Sequence, residues 1–538
     1  MPERPSGSYY LTTAIPYANN APGLHTLYEI IGSDVLARWH RMRGDETRFL
    51  TGTDEHSVNI AMKAGELGMT PRDFVDEQVA KYVEAEGRLL ISPDRFVRTT
   101  DADHARAAQE MVRRAHANGD IYLGRYEGWY CPNEGFKAPS DLLETPDGVR
   151  CPNHPDVRLE FLTENNWFFR LSAYQERLER HFEEHPEFVQ PDYRRNEMLA
   201  FLRQGLEDFS VSREGGTWGI PFPIGEGHTI YVWYDALINY ITGAGFPDDE
   251  PTFAKWWPAD LHVIGKDIAR FHTLYWPAML WSAGLEAPKR VWIHGFLLVQ
   301  GERMSKSRGN LLDPNAMVAA LGVDGTRYAT LREVPFDRDA DVSWDSFVRR
   351  YNADLANDFG NLLNRTLAMT GRYLDGLRPE PTAGGGRLAS AWATTFPRYA
   401  QHLEACLLHE ALETLWGFVG EANRTVDAEQ PWILAKAVKA GDGSAAARLA
   451  EVLGDLLEAC RLIAFAAAPF MPDTAARAAA QLGLEHPYGP DGNGGPPLAE
   501  LVAWGAAPAG GSIGSAAPLF PRLEVDEASG GDERAASR

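Results

Sequence analysis

Between two β-prone runs, Tyr9 to Ala14 and Thr47 to Thr53, the positions Leu27, Ile30, Ile31, Val35, Leu36, Trp39 and Met42 recur at helical spacing. Arg38, Arg41 and Arg43 fall mostly on the opposite side, as in a helix with one buried stripe. A strand, a helix and a second strand in that order form a βαβ unit, which demands a parallel sheet. Two later runs with strand character, Leu261 to Gly265 and Arg290 to Val299, extend the sheet after a long gap. An insertion therefore splits it.

The chain has 538 residues, so at roughly 150 residues per domain it holds about three or four domains. With 44% hydrophobic and 24% charged residues it can bury sizeable cores, and a fibrous or wholly disordered protein is excluded. The net charge of −23 argues against bulk electrostatic coating of nucleic acid while leaving selective RNA contact open. Apolar stretches stay short of the roughly 18 residues of a membrane span, and the start lacks a basic and an apolar signal region, so a cytoplasmic protein without membrane contact is expected. Its 4 cysteines are too few for a disulfide scaffold. Cys406 and Cys460 read as core thiols in apolar helices.

Inside the insertion, Cys131-Pro-Asn-Glu134 and Cys151-Pro-Asn-His154 bracket a polar loop with the paired spacing of a zinc ribbon. Two thiolates, a carboxylate and an imidazole can hold one structural Zn2+, and a metal-free, degenerate knuckle is weighed equally. From about Asp345 the pattern turns helical, with Leu/Ala-rich stretches over Leu407 to Val419 and Ala445 to Phe470, a bundle punctuated by a loop at Thr382 to Arg387. The Gly-, Ala-, Pro- and Ser-rich tail from about Gly489 reads as flexible.

Three segments carry chemistry. Arg303, Met304, Ser305, Lys306 and Ser307 follow a strand and a Gly301 turn, placing a lysine point charge among small donors, an arrangement suited to a polyphosphate. A solvated basic turn is the alternative. Gly23-Leu24-His25-Thr26 opens the first helix, where free N–H groups bind anions, with Thr26 as a possible cap and His25 as a donor. Asp54 stands at the carboxyl end of the second strand, where open α/β sheets bind ligands and where a carboxylate can hold an amine. Capping a helix that begins near His56 is its competing role.

Together with Ala14-Ile-Pro-Tyr17, Thr53-Asp-Glu-His56, Tyr231-Val-Trp-Tyr-Asp-Ala236 and Val263-Ile-Gly-Lys-Asp267, the Met-Ser-Lys-Ser loop resembles the methionyl-tRNA synthetase family from about Tyr9 to about Pro472. The resemblance implies an α/β Rossmann-type parallel-sheet catalytic domain with a small zinc-knuckle insertion, followed by an all-α helical bundle that reads the anticodon. The expected division is 1–115 and 226–345 for the two catalytic halves, 116–225 for the insertion, 346–488 for the bundle and 489–538 for the tail.

It also implies a methionine pocket of Ile15, Tyr17, Asp54, Trp233, Ala236, Tyr240, Phe271 and His272, with Asp54 on the amino group. The aromatics suit a thioether, at roughly 0.3–1.5 kcal/mol per sulfur–ring contact. Gly23, Gly265, Asp267 and the Arg303–Ser307 segment would bind ATP with its Mg2+, with Lys306, His25 and Thr26 in catalytic roles. Asn361, Arg365 and Trp432 would read the anticodon of tRNA(Met), the initiator included. A base stacked on an exposed Trp gains about 1–3 kcal/mol, although a Trp after Pro is otherwise a packing residue. A monomer is expected.

The family carries His-x-Gly at the start of the first helix where this chain has Gly23-Leu24-His25. Loss of one transition-state donor would cost on the order of 3 kcal/mol, about a hundredfold in rate. Two other readings therefore stand beside methionine–tRNA ligation: a synthetase-derived tRNA-binding protein with impaired activation, and another class I synthetase for an apolar amino acid.

Overall fold

The computed structural model describes residues 7–131, 135–137, 142–145, 148–152, 154–304, 312–384, 386–507 and 510–524. The chain separates into two compact units. The first comprises residues 1–21, 48–84 and 93–293; the second comprises 22–47, 85–92 and 294–538. The second unit thus takes up the first helix and part of the tail as well as the bundle, a division different from the consecutive one expected.

The first unit is organised by a six-stranded sheet of β1 (Ser8–Thr13), β2 (Glu46–Thr53), β3 (Arg95–Arg98), β4 (Val189–Gln190), β5 (Leu261–Gly265) and β6 (Val291–His294). The spatial order is β4-β6-β5-β1-β2-β3, and β1 with β5, β2 with β3 and β4 with β6 pair in parallel. Chain order reverses direction across β1, so the carboxyl ends of β1, β2 and β5 meet at the switch point where open α/β sheets bind ligands. The insertion adds a long antiparallel pair, Ile121–Cys131 with Glu160–Phe169, and a three-stranded sheet of Leu143–Thr145, Gly148–Cys151 and His154–Arg158.

The Arg290–Val299 run is two strands rather than one: β6 belongs to the parallel sheet, and Leu297–Val299 pairs with Glu302–Arg303 and Ala340–Asp341. The break is at Gly295, where a Cβ would lie 2.0 Å from the carbonyl carbon of Arg338, so only glycine permits the approach.

In the second unit, helix α1 (Leu24–Arg43) ends on Gly44 at φ 100°, the left-handed conformation that closes a helix. Arg38 and Arg41 are not on a solvent face. Arg38 is 1% exposed and binds Asp34 at 2.7 Å and the Pro490 carbonyl at 2.8 Å; Arg41 binds Ser92 and the Asp491 carbonyl. Helical spacing marks α1 correctly, but the helix is covered on nearly all sides, and paired arginines occupy positions that look solvated in sequence.

Helices Leu408–Glu429 and Gly443–Ala466 realise the two Leu/Ala-rich stretches. The described part of the tail is built in rather than loose: Leu498 and Val502 are buried, Arg461 donates to the Ala503 carbonyl, and Asn352 exchanges hydrogen bonds with Leu523. No described helix is long and apolar enough to cross a membrane.

Candidate functional site

At the switch point of the first unit, Asp54 and Tyr17 form a parallel bridge. The Asp54 N–H donates to the Pro16 carbonyl and the Ala18 N–H to that of Asp54, both at 2.9 Å. The Ile15–Ala18 segment is thereby fastened to the end of β2. Asp54 does not cap the following helix, Val58–Glu66; Ser57 does, accepting from the Ile60 N–H. Asp54 is 3% exposed, and its Oδ1 has no hydrogen-bond partner among the described residues. Burial, then the neighbouring Asp235 carboxylate, push it well above the usual carboxylate range, against the His56 backbone N–H that favours its charge. A buried acceptor with an open lone pair is poised for a cationic donor.

Aromatic rings line the same place. Tyr17 meets Trp233 edge-on at 5.9 Å, and Trp233 stacks on Phe271 at 4.2 Å with 4° between planes. Next along the chain, His272 Nδ1 lies 2.9 Å from the Ile268 carbonyl, which can only accept, so the proton is on Nδ1. Nε2 then accepts from the Tyr240 hydroxyl at 2.7 Å. Burial lowers His272 to about 4, keeping the ring neutral. Behind it, His262 packs against Tyr240 at 4.3 Å and is held by Thr12 and Trp276. Ala236 is buried on the short helix Val232–Leu237 that carries Trp233, and Ile15 is half-buried. The wall offers ring edges and a neutral Tyr240–His272 pair whose protons are already donated: chemistry for an apolar, polarisable side chain.

Gly265 closes β5, buried, and Asp267 is exposed in the turn that follows. In the second unit, Gly23 is the residue before α1, with extended φ −96°; His25 is exposed, and Thr26 is the third residue of the helix rather than its cap. Gly23, at the N-cap position, has no side chain with which to cap the first turn. Arg303 ends a short strand and Met304 is buried. Ser305, Lys306 and Ser307 lie outside the described residues.

Cys131 and Cys151 come together in one buried cluster with Leu159, and Cys151 pairs with His154 across a hairpin. Glu134 and the His154 side chain lie outside the described residues, among which no metal-binding group of three occurs. Asn361 and Arg365 share one helix, Asn361–Tyr373, which packs against Pro431–Lys439. Asn361 is exposed, Arg365 reaches Asp427 at 3.5 Å, and Trp432 is 39% exposed.

The family model of class I tRNA synthetases (M) matches residues 9–367. The chain belongs to the methionyl-tRNA synthetase family. Among its relatives, the methionine–tRNA ligase of Mycobacterium leprae is 44% identical over 483 residues, 89% of each chain. That of Thermosynechococcus vestitus is 43% identical over 96% of this chain and 98% of its own. A solved Mycobacterium tuberculosis methionyl-tRNA synthetase, in complex with methionyl-adenylate, superimposes with a TM-score of 0.89 at 41% identity, covering 96% of this chain and 100% of that one.

Two arrangements in this synthetase escaped the sequence. Asp235, fully buried, is held by His56 Nδ1 and His104 Nε2, each at 2.8 Å. In the second unit, His294 meets Glu29 at 2.8 Å through Nε2 while its Nδ1 lies 2.7 Å from the Gly295 carbonyl. His56 and Asp235 sit inside quoted motifs, but nothing in linear order joins them to His104, and Glu29 falls on a helix side that reads as surface.

Proposed function

We propose that the chain is an ATP-dependent methionine–tRNA ligase. The methionine carboxylate attacks the α-phosphorus of ATP, the bond to the bridging oxygen breaks, and diphosphate leaves with methionyl-adenylate formed. A hydroxyl of the terminal adenosine of tRNA(Met), the initiator included, then attacks the adenylate carbonyl, and AMP leaves with the ester made. The observation that carries this reading is the buried Asp54 with its open Oδ1 beside the Tyr17–Trp233–Phe271 wall, one end for an ammonium and the other for a thioether. The ligase names of its relatives and the methionyl-adenylate held by the Mycobacterium tuberculosis synthetase support it.

In this reading Ile15, Ala236, Tyr240 and His272 complete the methionine pocket, and Gly23, Gly265 and Asp267 serve the nucleoside. His25 and Thr26 act at the α-phosphate; Arg303, Met304, Ser305, Lys306 and Ser307 follow the Mg2+-bound diphosphate. Asn361, Arg365 and Trp432 read the anticodon. The buried Cys131 and Cys151 suit thiolate ligation, and with Glu134 and His154 would hold one Zn2+ that braces the insertion. Methionine-dependent exchange of labelled diphosphate into ATP, with charging of tRNA(Met), tests the proposal. Exchange with another apolar amino acid, and not with methionine, would overturn it.

The order Gly23-Leu24-His25 favours a second reading, a tRNA-binding relative with impaired activation. Tight tRNA binding without exchange would establish it. The paired change Gly23→His and His25→Gly is expected to raise the exchange rate, by up to about a hundredfold for one recovered transition-state donor. Gly23 has extended φ of −96°, which any residue adopts, so the backbone dihedral there does not require glycine. An unchanged or lower rate shows that this chain does not need the family's histidine there.

A further inference from the structure

Asp235 is fully buried, and both its oxygens are taken: Oδ2 by His56 Nδ1 and Oδ1 by His104 Nε2, each at 2.8 Å. His56 stands two residues after Asp54, and Asp235 two residues after Trp233 on the same short helix. His104 belongs to the helix Ala102–Ala117, and its Nδ1 lies 3.2 Å from the Thr242 hydroxyl, which also reaches the Ile238 carbonyl at 3.0 Å. The surroundings leave His56 little freedom. Trp218 meets its ring edge-on at 5.4 Å and donates its indole N–H to the Glu55 carbonyl at 2.6 Å. The Glu55 carboxylate is fixed by Arg98, Thr53 and Thr100.

Beside the Arg98-paired Glu55, the buried carboxylates of Asp235 and Asp54 therefore differ in occupancy. Each oxygen of Asp235 already holds a histidine, and Asp54 keeps Oδ1 open. A cationic amine finds its unpartnered acceptor on Asp54, and the histidine-held carboxylate has another task. We propose that Asp235, clamped by His56 and His104, is a positioning residue that fixes the separation between the carboxylate that takes the substrate amine and the aromatic wall that takes its side chain. The inference rests on the methionine reading of this pocket. It adds a specificity element, because a fixed separation rejects amino acids whose thioether lies one methylene nearer the amine.

The charged and titratable groups around the clamp are Asp54, Glu55 paired with Arg98, His56 and His104, with Tyr17 beside Asp54. Burial pushes Asp235 up, and the two histidines more than offset it, so it stays ionised. Its charge in turn disfavours ionisation of Asp54.

The test uses the full chain in methionine-dependent exchange, with methionine and S-methylcysteine as substrates. His104→Ala, outside the pocket, and Asp235→Asn, which keeps the shape, are each expected to raise the KM for methionine about tenfold with the KM for ATP unchanged. Each is also expected to reduce the preference for methionine over S-methylcysteine about tenfold, the scale on which one methylene is discriminated. His104→Gln, whose amide can still donate to Asp235, is expected to restore both. Asp235→Asn is further expected to move the acid limb of kcat/KM for methionine to lower pH, a shift that loosened packing does not produce. Should His104→Ala fail to fold, the Gln and Asn variants carry the comparison. Active wild-type protein with both preference and acid limb unchanged in Asp235→Asn overturns the inference alone. Absence of methionine-dependent exchange in the wild-type overturns the underlying reading.

Discussion

Asp54→Asn is expected to lower kcat/KM for methionine in the exchange reaction by about 30- to 4,000-fold, leaving the KM for ATP close to its wild-type value. Truncating one partner of a buried, hydrogen-bonded charge pair costs about 2–5 kcal/mol, and each 1.4 kcal/mol is roughly a factor of ten. Asn matches the carboxylate in shape, so the loss isolates charge. The open Oδ1, buried beside Tyr17, makes the effect large, because no water shell is at hand to replace the lost anion.

The pH profile supplies an independent check. Burial and Asp235 raise Asp54 above the ordinary carboxylate range, so its ionised, amine-binding form is lost as pH falls, earlier than for an exposed aspartate. An acid limb above the usual carboxylate range is expected in the wild-type protein and is expected to vanish in the Asn variant. A loss of less than threefold in kcat/KM, or an identical acid limb in the variant, means that the amine is held elsewhere.

Much of this site was legible because its residues sit in short motifs at strand ends. The strand Leu261–Gly265 was read residue for residue, and β1 and β2 to within one residue at each end, since alternation and apolar runs are local signals. Asp54 and Tyr17 lie on adjacent strand ends, and parallel topology alone brings them together. What linear order hides is partnership at long range. Arg38 reads as a solvent-facing arginine because Asp34 one turn earlier could be any surface pair; only Pro490 and Leu90, whose carbonyls also bind it, reveal a buried position. The tail misled for the same reason. A Gly- and Pro-rich composition describes backbone freedom in isolation, whereas the described part is anchored by carbonyls that Arg38, Arg41 and Arg461 bind. The exposure of Trp432 beside its proline could not be decided by sequence, because a packing indole and a stacking indole have the same neighbours.

Arg327→Met is expected to destabilise the second unit by about 3–5 kcal/mol, the cost of removing one member of a buried ion-pair network in which Asp34 keeps Arg38. Arg327 and Asp34 are both fully buried and 2.7 Å apart. Arg327 also donates to the carbonyls of Leu89, Phe470 and Pro469, so one guanidinium fastens α1, the 85–92 segment and the turn that follows the long helix Gly443–Ala466. Burial pushes Asp34 up, but Arg38, Arg327 and Ser92 bring it down to about 2 from an ordinary value of 3.8. Its contribution is therefore present above about pH 4 and lost as pH falls through about 2. Arg327→Met removes part of that depression, so its acid-unfolding midpoint is expected to rise. Nearby Glu86 behaves oppositely: burial and Asp34 raise it to about 8 from 4.5, so its contribution is present below pH 4.5 and lost as pH rises through 8. Glu86→Gln is accordingly expected to flatten the alkaline loss of stability. Denaturant unfolding across pH measures all three proteins. A single variant within about 1 kcal/mol of wild-type, with an unmoved acid midpoint, would show that the backbone contacts rather than the ion pair hold these segments together.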